Sequence, residues 1–140
     1  MTQEDKELLL KDLCARLPYG VKMNHIADDE HSPKTLIGVA KDMITLEGLG
    51  GYECVDVEDY KSYLFPLSSM TEAQQEEFDR IYADDMQVVA NNLKNRLDGK
   101  PYETNLGHYR HIDWLNANHF DYRGLIPKGL AIDATGKNVY

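Results

Sequence analysis

Met43-Ile44-Thr45-Leu46-Glu47-Gly48-Leu49-Gly50-Gly51-Tyr52-Glu53-Cys54-Val55-Asp56-Val57 places a glycine cluster between two strand-like runs. In the second run, Tyr52, Cys54 and Asp56 fall opposite Val55 and Val57, the period-two pattern of a half-buried strand. Glycine tolerates positive φ, so Gly48-Leu49-Gly50-Gly51 reads as the turn of an antiparallel hairpin. Working outward, Thr35 to Ala40 is strand-like and joins Met43 through a turn at Lys41-Asp42. Val21 to Ile26 begins as a strand with Val21 and Met23 on one face, and Tyr63-Leu64-Phe65 reads as another, closed by Pro66.

Helices flank this region. Thr2 with Asp5 forms a helix start, and Leu9, Leu10, Leu13, Cys14 and Leu17 make an apolar stripe that Pro18 and Gly20 end. Ser69 with Glu72 reads as a capping box. From Thr71 to Leu97, Phe78, Ile81, Tyr82, Met86, Val89, Leu93 and Leu97 recur at spacings of three and four. That pattern fits one long helix, or two broken near Ala83-Asp84-Asp85, ended by Asp98-Gly99-Lys100-Pro101. A further helix is predicted from about Asn105 to Asn118, and Gly124, Pro127 and Gly129 then read as turns. The expected fold class is α+β: a small antiparallel sheet or partly open barrel of four to five strands, preceded by one helix and packed by two to three C-terminal helices. A single domain over 1–140 is the economical reading, with helix and sheet in 1–70 and mainly helix in 71–140.

The chain of 140 residues carries a net charge of −9, unevenly spread: −6 over residues 1–70, −4 over 71–98 and +1 over 99–140. An acidic body repels phosphate backbones, which disfavours nucleic-acid binding. No apolar run reaches the roughly 20 residues of a membrane helix, and no secretory signal is visible, so a cytoplasmic location is expected. Cys14 and Cys54 lack close spacing and read as free, part-buried thiols.

Candidate chemistry is sparse. His25, Asp28 and His31, with Asp29 and Glu30, are the right types for zinc or manganese, yet a solvated hairpin loop rich in turn formers is the favoured reading of them. His108 and His111 lie one helical turn apart near His119 and can share a metal, although surface histidines near a helix end have the same appearance. Asp121-Tyr122-Arg123-Gly124 offers an arginine that can grip an anion; Asp121 and Arg123 can equally pair with each other or hold the turn to the preceding helix, with Trp114 and Phe120 packed beneath. No nucleophile elbow or phosphate loop occurs, and no cofactor is implied. Nine of the thirteen aromatic residues are tyrosines, a type enriched in contact surfaces. Tyr109, Trp114, Tyr122 and Arg123 are therefore candidates for binding a protein partner, with self-association left open.

Three runs carry a resemblance. They are Met1 through Val21; Tyr63-Leu64-Phe65-Pro66-Leu67-Ser68-Ser69-Met70-Thr71; and a C-terminal set comprising Trp114-Leu115-Asn116, His119 through Ile126 and Gly129 through Asp133. Together they resemble a family of small proteins from gut Bacteroides, of the kind described as hypothetical or phage-like. The resemblance implies a setting in mobile DNA and brings no activity or catalytic residues. The expectation is a non-enzymatic accessory or interaction module. Its rival is a metal-assisted hydrolase using the histidine and carboxylate groups.

Overall fold

The computed structural model describes residues 1–28, 32–101 and 109–140. It is α+β, and it forms two compact units: residues 1–69 with 116–140, and residues 70–115.

The first unit opens with α1 (Gln3–Arg16). Thr2 Oγ1 accepts from the Asp5 backbone and the Asp5 carboxylate accepts from Thr2 N, a complete capping box. Gly20, at φ +66°, turns the chain out of the helix. Five strands follow: β1 (Lys22–His25), β2 (Lys34–Ala40), β3 (Met43–Gly48), β4 (Gly51–Asp56) and β5 (Tyr60–Pro66). The Gly48–Gly51 segment joins antiparallel β3 and β4, in register from Gly48↔Gly51 to Met43↔Asp56. Its glycines serve different ends. Gly51 takes the positive φ, +105°, whereas a Cβ on Gly48 would come within 3.2 Å of the Lys34 stem.

The alternation sorts side chains as expected: Ile44 and Leu46 are fully buried, while Tyr52 and Cys54 are exposed on the other face. Two strands have no counterpart in the sequence reading. β6 (Phe120–Asp121) and β7 (Ala131–Asp133) both pair with β5, and both pair in parallel. The sheet is open, in the order β4-β3-β2-β1-β5-β6 with β7 also on β5, and it is not a closed barrel. Leu9 and Leu13 of α1 join Val21, Met23, Leu36, Ile44, Leu46, Val57, Leu64 and Leu125 in one core. Cys14 departs from expectation. It stands about 100° around the helix from Leu13 and is exposed, as is Cys54, so neither thiol is part-buried.

The second unit contains α2 (Glu72–Leu97), a single helix. Its cap is Thr71 with Gln74, not Ser69 with Glu72; Ser69 Oγ instead donates to Pro66 O at 2.7 Å. Asp98 caps its end and Gly99 follows at φ +68°. α3 (Arg110–Ala117) begins in this unit. Among the described residues no helix is long and apolar enough to cross a membrane.

Candidate functional site

Among the described residues, three places hold chemistry-bearing side chains. The first is a buried charged knot in the sheet unit. Asp12 and Arg16, four apart on α1, are both fully buried, and Arg16 Nε donates to Asp12 Oδ2 at 2.7 Å. Arg16 Nη2 donates to the Phe120 carbonyl at 2.7 Å. Arg123 brings its Nε to 3.2 Å from Asp12 Oδ1, close enough for an ion pair but outside hydrogen-bond geometry. The guanidinium carbons of Arg16 and Arg123 lie 5.3 and 4.9 Å from the Tyr122 ring centre, in the range of cation–π attraction. Tyr122 donates to Asn116 Oδ1 at 2.9 Å.

Of the two sequence readings of Asp121 and Arg123, mutual pairing does not occur. Asp121 accepts from Leu125 N and Ile126 N, both at 2.9 Å, and so fixes the following turn. Arg123 spends its charge on Asp12. The knot ties α1 to the 116–126 segment, and its one carboxylate already faces two guanidinium groups.

Beside it, His119 sits at φ +61° and stacks on Tyr140, with ring centres 3.6 Å apart. Burial, assisted by the charge of Arg16, holds the His119 imidazole down at about 4, so it is neutral near pH 7. Tyr140 donates to Tyr63 O at 2.7 Å and accepts from Lys22 N at 3.0 Å, and burial pushes its phenol well above the ordinary tyrosine value.

The second place lies in the helical unit. His111 Nδ1 is 2.5 Å from Asp85 Oδ2, and the same oxygen accepts from His111 N at 2.9 Å. Burial raises the Asp85 pKa, but the bonds from the His111 backbone and ring prevail and hold it below the ordinary carboxylate value. The His111 ring lies edge-on to Phe78 and Tyr82, and Trp114 packs on Phe78 at 5.7 Å. Tyr109 is exposed beside His111. The pair thus orients an imidazole in an aromatic setting, and its backbone bond makes Asp85 the anchor of the first turn of α3.

The third place is the tip and edge of the β3–β4 hairpin. Leu49 is fully exposed and Tyr52 is 73% exposed. Lys34 reaches across from β2 to pair with Glu53, which also accepts from Tyr60 at 3.4 Å. The hydrogen bond with Glu53 raises the Lys34 pKa, and the same bond lowers that of Glu53. Among the described residues, β4 has β3 on one side and no strand on the other.

Of the metal candidates, the described ones, His25, Asp28 and His111, each have other partners. His25 accepts from Ala27 N through Nδ1 at 3.0 Å and stands edge-on to Tyr60. Asp28 closes a turn onto the His25 carbonyl at 3.1 Å. His31 and His108 lie outside the described residues. Among the described residues, no three His, Cys, Asp or Glu side chains converge as a metal site. Of the binding candidates, Tyr122 and Arg123 come together in the knot, while in the other unit Tyr109 stands beside His111 and Trp114 packs on Phe78. Sequence reasoning missed Asp12, Arg16 and Asn116. The spacing of four between Asp12 and Arg16 was a visible signal, but nothing local marks a helical ion pair as buried. Comparison of the chain with family models, curated proteins and solved structures finds no match.

Proposed function

We propose that this chain is a protein-interaction module that takes an extended segment of a partner onto its β4 edge. The observation that carries the reading is the exposure of Leu49 and Tyr52 at the tip and start of a strand that has one side unpaired among the described residues. An open strand edge supplies a row of backbone donors and acceptors, and nearby exposed apolar side chains supply anchors. The partner's chemistry follows from charge: residues 51–59 hold Glu53, Asp56, Glu58 and Asp59 and no base, and with Lys34 paired to Glu53 and Lys6 to Glu58 the stretch stays acidic through Asp56 and Asp59, so a basic strand-forming segment fits. The buried polar groups support a non-enzymatic role, since Arg16, Asp121 and Asp85 are spent on backbone groups. The resemblance to phage-like proteins suggests an accessory of a mobile element as the setting.

The test is titration of the chain with short strand-forming peptides of equal length, in basic, neutral and acidic versions. The basic version is expected to bind best, and Leu49→Asp with Tyr52→Asp is expected to weaken it at least ~10-fold, or about 1.4 kcal/mol. Indifference to peptide charge, or unchanged binding in the double variant, sinks the reading.

A further inference from the structure

Among the described residues, α2 keeps an apolar stripe largely exposed, although Tyr82 at one end also meets Phe78 and His111. Its buried residues are polar, Asp85 and Asn92, while Tyr82, Val89, Leu93 and Leu97 are 45%, 39%, 52% and 76% exposed. Those four with Met86 recur at spacings of four, three, four and four, so they form one continuous stripe. An amphipathic stripe of this length finds its stability in packing against another element.

Charge indicates which element. Residues 72–85 carry six acids and one base, whereas 86–97 carry two bases and no acid. Two copies of this helix laid parallel set acid against acid. Laid antiparallel, the acidic half of each meets the basic half of the other, and their macrodipoles oppose.

We infer that α2 docks on α2 of a second copy of this chain, antiparallel, along the stripe Tyr82–Met86–Val89–Leu93–Leu97. The two-fold axis passes beside Val89 and Ala90. Tyr82 then faces Leu97 of the second copy, Met86 faces Leu93, and Val89 meets Ala90, as an isologous contact requires. The stripe uses no residue of the β4 edge, and the pairing stands whichever way the peptide test falls.

The test uses the full chain. Light scattering across a dilution series is expected to give twice the chain's 16.0 kDa, dissociating on dilution. Leu93→Glu is expected to yield the monomer with helix content unchanged by circular dichroism. Should that variant lose helix, Lys94→Glu with Arg96→Glu leaves the stripe intact and is expected to weaken the dimer at least ~10-fold. Orientation is read by oxidation with Cys14 and Cys54 replaced by serine. Ala90→Cys is expected to link to itself, and Ala83→Cys to link only when mixed with Arg96→Cys. A parent that is monomeric at every concentration, a dimer indifferent to the folded variants, or self-linking of Ala83→Cys as readily as Ala90→Cys overturns the inference.

Discussion

At the scale of single residues, one neutral imidazole shapes the molecule's response to acid. His119 is held at about 4 in the fold, against an ordinary value of 6.5. Between these values the unfolded chain binds a proton that the native ring does not, so stability falls as pH drops through that window and is fully present above it. The partial exposure of the ring limits the effect to about 1–2 kcal/mol. His119→Asn keeps a residue suited to φ +61° and removes the titration. Denaturant midpoints measured from pH 7 to pH 4 should therefore fall less steeply in the variant than in the parent; parallel profiles would show that His119 does not couple folding to pH. Nothing in the sequence exposes this property. His119 reads as one of three nearby histidines, and only the stack on Tyr140 and the adjacent Arg16 distinguish it.

At the scale of elements, α1 is held by more than its apolar face. Asp12 is the single carboxylate between Arg16 and Arg123. Asp12→Ala leaves two guanidinium groups uncompensated and should cost about 3–5 kcal/mol in urea unfolding. Arg123→Ala should cost less, because the Asp12–Arg16 bond survives. Equal losses would mean that the knot does not act through Asp12. The elements divide clearly by how far they could be read. α1, the five antiparallel strands and α2 announce themselves because period, cap and glycine turn are local signals. β6 and β7, of two and three residues, are too short to show alternation, and their parallel pairing with β5 is set by tertiary contact. The cap of α2 slipped by two residues because Ser69–Glu72 and Thr71–Gln74 offer the same motif, and Ser69 is occupied by Pro66 O. Of the apolar residues near 120, Leu115, Phe120 and Leu125 are buried, whereas Trp114 is half-buried.

At the scale of the whole molecule, the helical unit of residues 70–115 interrupts the sheet unit in sequence. The pairing of Pro66 with Asp121 keeps the chain's departure from the sheet and its return within a few residues of each other. Replacing 70–115 by a short glycine-serine linker should therefore leave a cooperatively unfolding sheet domain, checked by circular dichroism and urea titration. A non-cooperative product would show that the sheet unit requires the insertion. The late return also has a consequence for synthesis. β5 is made by residue 66, but β7, which covers its open side, starts only at residue 131. At ~5–20 residues per second, the ribosome leaves that hydrophobic strand uncovered for roughly 3–13 s. Over that interval the nascent chain offers a strand edge to chaperones and to neighbouring chains, and the finished protein then closes it.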